Sequence, residues 1–235
     1  MKKTAVITGG VRRLGGEISR YLLSHDYQVF SLNSRNYTAD EFPVMDHPDF
    51  NSKIIDLKTS NRSDFNSFIT EIPQIDLLVN NASVFYERDF LEVTEEVWNE
   101  FFNINLKAIF FLSQAVAEKM LKQKEHANII NIIDSGGDLL WTRYFVYNLT
   151  KNNLIHMTKM MAKRLGPMIR VNGIAPGTVI PEQNATEKWI EDAASRSVLK
   201  KIGDSQEVIR LIEVILNSNF MTGSILTVDG GRSLL

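Results

Sequence analysis

Thr4-Ala5-Val6-Ile7-Thr8-Gly9-Gly10-Val11-Arg12-Arg13-Leu14-Gly15-Gly16 carries a short apolar run into a glycine-bearing turn, after which a helical pattern continues through Ile18, Leu22 and Leu23. The segment reads as strand, turn and helix, an arrangement suited to phosphate. Glycine lets the backbone turn tightly and approach a pyrophosphate, while free N–H groups and the positive end of the helix dipole receive its charge. The usual dinucleotide spacing G-x-G-x-x-G is absent, so this signature needs support from the rest of the chain.

Strand-like runs recur near residues 3–8, 27–33, 52–57, 75–80, 127–133, 168–175 and 224–228, with helical stretches between them. That alternation predicts an α/β fold, a single Rossmann-type doubly wound parallel sheet of about seven strands with helices on both faces. Ala127 to Ile133 is almost continuously apolar, as a central strand buried on both faces should be. At 235 residues the chain suits one domain, 1–235, and shows no repeat or linker. Residues 178–204 read as a loop plus a short amphipathic helix from Trp189 to Leu199 rather than as a domain.

Composition narrows the function classes. A formal charge of −2 argues against a nucleic-acid partner, and the lack of cysteine excludes thiol and disulfide chemistry. The four histidines are scattered without metal-ligand spacing. The apolar run after Met1-Lys2-Lys3 is broken by Gly9, Gly10, Arg12 and Arg13, and no stretch approaches the roughly 18 apolar residues of a membrane span. The expectation is a soluble, cytoplasmic protein with no membrane partner.

Tyr147 and Lys151 stand four residues apart in a helical stretch, with Asp134 thirteen residues before the tyrosine. Positions i and i+4 share a helix face, so hydroxyl and ammonium can enter one cleft. A phenol near pKa 10 is a poor acid-base group at neutral pH, and a nearby cation favours its phenolate. Two more strand ends carry small and polar groups: Val79-Asn80-Asn81-Ala82-Ser83, and Ile174-Ala175-Pro176-Gly177. In an open parallel sheet, ligands bind beyond such carboxyl ends.

Thr8-Gly9 with Gly15, Asp56-Leu57, Asn80-Asn81-Ala82, Asn105, Tyr147 with Lys151, Pro176-Gly177 and Thr222-Gly223…Val228-Asp229-Gly230-Gly231 follow one another in an order that resembles the short-chain dehydrogenase/reductase family from end to end. Within it, the chain is most similar to the pteridine reductases, including dihydromonapterin reductases. Arg13 replaces a glycine of the usual Thr-Gly-x-x-x-Gly-x-Gly turn, Asp134 stands where most members carry a catalytic serine, and Asn80-Asn81-Ala82-Ser83-Val84-Phe85 looks like the segment whose ring stacks on the pterin.

The resemblance implies a catalytic set of Asp134, Tyr147, Lys151 and Asn105. Lys151 would hold the nicotinamide ribose and lower the Tyr147 pKa, while Asn105 would bend its helix. Ser135 is the rival of Asp134, since neighbouring residues at a strand end point opposite ways. Asp56 would meet the adenine, although a turn or capping aspartate reads the same. No acidic residue ends the second strand; Ser34 and Arg35 stand there, and with Arg12 and Arg13 they suit the 2′-phosphate of NADPH. The implied cofactor set is Gly9, Arg12, Arg13, Leu14, Ser34, Arg35, Asp56, Leu57, Asn81, Ala82, Ser83, Tyr147, Lys151, Pro176 and Gly177. A pteridine substrate would meet Arg13, Ser83, Phe85, Asp134 and Tyr147, with residues 178–204 covering it. The family implies a homotetramer that pairs the helices holding Asn105 and Tyr147.

Two other functions compete. A carbonyl reductase acting on 3-oxoacyl chains would carry serine at 134 and glycine at 13. A catalytically idle NADPH-binding regulator would not need Asn105, Tyr147 and Lys151 together. A serine hydrolase is excluded, because no G-x-S-x-G surrounds Ser135.

Overall fold

A computed structural model describes residues 2–235, apart from the side chain at position 138. In chain order the elements are β1 (Lys3–Thr8), α1 (Arg13–Ser24), β2 (Tyr27–Asn33), β3 (Phe50–Ile54), α2 (Arg62–Thr70), β4 (Leu77–Asn80), α3 (Glu95–Phe102), α4 (Ala108–Gln123), β5 (Ala127–Ile132), α5 (Phe145–Leu165), β6 (Ile169–Pro176), α6 (Glu187–Ser195), α7 (Ser205–Asn217) and β7 (Ile225–Val228). The strands form one seven-stranded parallel sheet in the order β3-β2-β1-β4-β5-β6-β7. The expected doubly wound sheet is present. Its order reverses between β1 and β4, which opens a crevice beyond their carboxyl ends.

Alternation along the strands splits the core into two layers. Ala5 and Ile7 of β1 pack with Ile18 and Leu22 of α1 and Val208 and Ile212 of α7. Val6, between them, packs on the opposite face with Phe65 of α2 and Leu112 and Met120 of α4. The third strand departs from its expected span of 52–57. It begins at Phe50 and pairs with β2 until Ile54 meets Asn33, where its only partner strand ends. Asp56 and Leu57 therefore lie beyond β3, in the turn that follows it.

A buried amide network ties the centre together. Asn80 Nδ2 donates to Asn131 Oδ1 at 2.8 Å and to Ser113 Oγ at 3.0 Å, and Asn131 Nδ2 donates to Thr158 Oγ1 at 2.8 Å. These bonds link β4, β5, α4 and α5. Asn131 is fully buried, so losing its amide leaves polar neighbours without a partner. Asn131→Leu should lower the unfolding free energy by about 1 to 3 kcal/mol in urea titrations. Equal stability of variant and wild type would show that the network contributes nothing.

Candidate active site

The turn after β1 and the turn after β4 are fastened to each other. Thr8 Oγ1 accepts from the backbone N–H groups of Asn81 and Ala82, each at 2.9 Å, and Asn81 Nδ2 donates to Thr8 O at 3.0 Å. Gly9 takes a left-handed φ of 67° and donates its N–H to Leu32 O at 2.7 Å. At Gly15 any Cβ would collide with the Gly9 carbonyl and the Asn81 amide. Arg13 stands where the family pattern has glycine and adopts a glycine-like φ of 52°. That region costs a non-glycine residue about 1 to 2 kcal/mol. Helix α1 starts with neither a side-chain cap nor an acidic residue in its first turn. Its positive end is left for an anion, and Arg13, Leu14 and Gly15 line the adjoining cavity.

This cavity has a volume of about 480 Å³, within the range of small-molecule sites. It brings together Gly9, Arg12, Arg13, Leu14, Ser34, Asp56, Leu57, Asn81, Ala82, Ser83, Phe85, Asp134, Tyr147, Lys151, Pro176 and Gly177. Arg35 and Asn105 stand outside its lining. The Arg35 guanidinium lies 4.4 Å from the Tyr37 ring and 3.7 Å from Glu41, and Tyr37 is the one that faces the cavity. Asn105 is buried in a π-helical turn, Asn103–Lys107, between α3 and α4. Its Oδ1 accepts from Val84 N at 2.9 Å and Ser83 Oγ at 3.1 Å, and its Nδ2 donates to Val84 O at 3.0 Å and Thr150 Oγ1 at 3.3 Å. Asn105 therefore braces the segment that carries Ser83 and Phe85.

Asp134 and Tyr147 meet at this cavity. Beyond β5 the backbone is extended at Asp134, and Tyr147 donates its hydroxyl to Asp134 Oδ2 at 2.7 Å. The other carboxylate oxygen accepts from Gly136 N at 2.7 Å, which fixes its orientation. Of the two neighbours, it is Asp134 and not Ser135 that meets the tyrosine. Burial pushes the Tyr147 hydroxyl well above the ordinary tyrosine range, and the Asp134 carboxylate pushes it the same way. Lys151, expected to activate this hydroxyl, makes its hydrogen bond elsewhere. Lys151 Nζ donates to Ile132 O at 3.1 Å and lies 5.6 Å from the Tyr147 ring centroid, and burial pushes the ammonium itself down to about 8. The cation that pulls Tyr147 downward is Arg232.

Phe85 is half-exposed at 47% and stacks on Tyr144 at 4.6 Å, with its edge toward Tyr147 at 4.7 Å. Tyr144 is held in turn by a 2.9 Å bond to Glu87. Thr178, Val179, Ile180, Glu182 and Trp189 line the cavity from the 178–204 region. Tyr37 and Arg232, to which the sequence reading gave no site role, also line it, as does Trp141; Glu182 and Trp189 come from the segment expected to cover the substrate. The signal for Arg232 was the Asp229-Gly230-Gly231-Arg232 stretch, and that for Trp141 its place just before the helix of Tyr147.

The buried lysine should mark the stability curve. An unfolded lysine keeps its proton to about pH 10.4, whereas Lys151 releases its own near 8 in the fold. Between those values the unfolded chain binds more protons, so the unfolding free energy rises with pH. Tyr147 acts in the opposite sense and takes stability away above about pH 10, where unfolded tyrosine ionises. From about pH 8 to about pH 9.5, wild type should gain on the order of 1 to 2 kcal/mol relative to Lys151→Met. Parallel curves in urea titrations would mean that Lys151 titrates normally.

Residues 55–233 match the family model described as enoyl-(acyl carrier protein) reductase. L-xylulose reductase of Mus musculus is 32% identical, over 97% of this chain and 96% of its own length. The crystal structure of FolM alternative dihydrofolate reductase 1 from Brucella canis, complexed with NADP, superposes with a TM-score of 0.87 at 29% identity and covers 99% of this chain and 95% of its own. A 4-hydroxyisoleucine dehydrogenase complexed with NADH reaches a TM-score of 0.90 at 26% identity, with 99% of each chain covered. Among the described residues, no helix is long and apolar enough to cross a membrane. With its sheet order, its glycine turn, its Tyr147/Lys151 pair and these matches, the chain belongs to the short-chain dehydrogenase/reductase family, a family of oxidoreductases.

Proposed function

We propose that the protein is an NADPH-dependent pteridine reductase of the cytoplasm, converting dihydromonapterin or dihydrobiopterin to the tetrahydro form and dihydrofolate weakly. The observation that carries this reading is the 2.7 Å hydrogen bond from Tyr147 to Asp134. A carboxylate beside the phenol makes the phenolate unfavourable, so Tyr147 keeps its proton until a substrate atom takes it. That suits reduction with protonation of a ring nitrogen better than alcohol oxidation, which needs the tyrosine as a base. Similarity to the NADP-bound FolM structure supports the reading.

The residues present fit a nicotinamide dinucleotide. Gly9 and Gly15 keep the first turn bare of side chains, the start of α1 is uncapped, and Arg12, Arg13 and Ser34 line the same cavity. Arg12 and Arg13 would meet the phosphates, while Lys151 and Asn81 would hold the ribose nearest the chemistry. Bound there, NADPH would supply the hydride. Phe85 would press a flat heterocycle into place by stacking, and Tyr147 would pass its hydroxyl proton to the ring nitrogen next to the reduced carbon. Asp134, steadied by Gly136 N, would keep the Tyr147 hydroxyl aimed and later share in returning its proton. Val179, Ile180 and Trp189 would close over the substrate and exclude water.

A carbonyl reductase is the second reading, favoured by the similarity to L-xylulose reductase. In either case the chain would work as a homotetramer on a small molecule. A half-exposed apolar face formed by Phe102, Leu106, Phe110, Met157 and Met160, on the helices that bear Asn105 and Tyr147, would be the surface for such pairing.

Dihydropterins, dihydrofolate, L-xylulose, diacetyl and an acetoacetyl thioester, compared by NADPH oxidation, separate the two readings. Dihydropterins should exceed the carbonyl substrates at least tenfold in kcat/KM, and Phe85→Ala should weaken pterin binding by about 1 to 3 kcal/mol, the worth of an aromatic stacking platform for a base. Efficient carbonyl reduction without pterin turnover would transfer the assignment to the second reading. For the cofactor, Arg13→Gly removes one guanidinium and relieves a left-handed arginine. Its melting temperature should hold or rise, while kcat/KM for NADPH falls about tenfold or more and that for NADH falls much less. A wild type that prefers NADH would overturn the NADPH assignment.

A further inference from the structure

Arg232 reaches the cavity from the far end of the chain. Beyond β7, the Asp229 carboxylate accepts from Gly231 N at 2.9 Å and Ser233 N at 2.7 Å, and Gly231 adopts a φ of 80°. This fold turns the tail back so that the Arg232 side chain lines the cavity. Its guanidinium carbon sits 4.3 Å from the Trp141 ring centroid, and Nη1 donates to Thr178 Oγ1 at 3.2 Å. Trp141 in turn lies over Gly136, where any Cβ would strike the indole, and the N–H of Gly136 holds the Asp134 carboxylate. Tail, indole, glycine and carboxylate form one continuous support.

The same guanidinium faces a cluster of charges. Asp134 lies beyond β5; Tyr144 and Tyr147 lie on or beside α5; Asp229 and Arg196 stand on the tail and after α6; Lys151 lines the same cavity. Glu182 enters from the covering segment. When Tyr147 gives up its proton, its O–H bond breaks, an N–H bond forms on a pterin ring nitrogen or an O–H bond on a carbonyl oxygen, and the electron pair stays on the phenolate oxygen. Phenolate and Asp134 carboxylate then lie within one hydrogen bond of each other. Lys151 is bound to a carbonyl oxygen and buried, so one more cation is needed to balance them.

We propose that Arg232 is a positioning residue for the acid pair, clamped by Trp141 and Thr178 so that its charge offsets the one Tyr147 and Asp134 share after proton transfer. The proposal rests on Tyr147 as the proton donor and not on which substrate is reduced. Arg232 makes no hydrogen bond to either partner; it acts through space, in a part of the cavity where burial weakens solvent screening. Burial raises the Tyr147 proton affinity and Asp134 raises it further, while Arg232 is the cation working against both.

Charge and anchoring are separated by two substitutions. Arg232→Gln keeps a polar side chain near Thr178 without charge, and Arg232→Lys keeps the charge without the planar stack. Turnover of dihydrobiopterin and of diacetyl should both be followed, so that failure of the pteridine reading leaves this test intact. On whichever substrate wild type reduces, Arg232→Gln should lower kcat at least tenfold with KM for NADPH within threefold, and its solvent deuterium isotope effect on kcat should rise. Arg232→Lys should stay within about threefold of wild type. An ultraviolet tyrosinate titration of the protein without substrate gives a reading independent of turnover. The increment lost in Tyr147→Phe should move to higher pH in Arg232→Gln by at least half a unit. Equal losses in the Lys and Gln variants, kcat within twofold of wild type in Arg232→Gln, or an unmoved Tyr147 increment would each overturn the proposal.

Discussion

One hydroxyl holds the site open in the right shape. Thr8, the last residue of β1, accepts two backbone N–H groups from the turn after β4, and it does so where the sheet reverses its order. A parallel sheet cannot bridge that point with ladder bonds beyond the strand ends, so a side chain has to do it. With these turns fixed, the glycine turn and the start of α1 face one half of the cavity. The Asn81 to Phe85 segment faces the other. Asn105 then supports Ser83 and Val84 from below through a π-helical turn, an insertion that re-aims a helix where a regular one would pass the segment by.

Against this frame, the acid pair is a study in holding a proton. Burial and the neighbouring Asp134 carboxyl group both make the Tyr147 phenol resist ionisation. The result is a donor with low intrinsic acidity, whose reactivity depends on what the substrate offers in exchange. A basic ring nitrogen that gains electron density from hydride addition is a strong acceptor and needs only a well-placed proton. A carbonyl oxygen gains electron density from hydride in the same way, so the hydrogen bond fixes where the proton is held rather than which of the two acceptors takes it.

The sheet was legible in the sequence because continuous apolar runs ended by glycine or asparagine leave few alternatives, as at Val6-Ile7-Thr8-Gly9 and Leu78-Val79-Asn80-Asn81. The third strand was less so. It is an edge strand with only Phe50 buried among its residues, so the hydrophobic pattern says little about where it begins. The choice between Asp134 and Ser135 depended on the parity of a strand end, which follows from where β5 releases its ladder and not from residue type. Tyr147 and Lys151 were paired correctly on one helix face, but a four-residue spacing does not reveal that the ammonium turns toward the Ile132 carbonyl. Arg232 reaches Trp141 and Thr178 through the folding of the tail, a contact between residues far apart in the chain that no local pattern encodes.

The departures from the common family pattern all lie at the cavity. Arg13 stands in for a glycine and keeps its left-handed backbone, although glycine would adopt that conformation at no cost. Strain of this kind persists where the side chain is needed in place, and Arg13 lines the cavity beside the glycine turn. Asp134 puts a charge where a neutral hydroxyl would serve a carbonyl. Both exchanges replace small neutral groups with ionised ones while the sheet, the turns and the Tyr147/Lys151 helix keep the family's form. The scaffold thus keeps the family's form, and what sets this chain apart lies in the charges placed at its cavity.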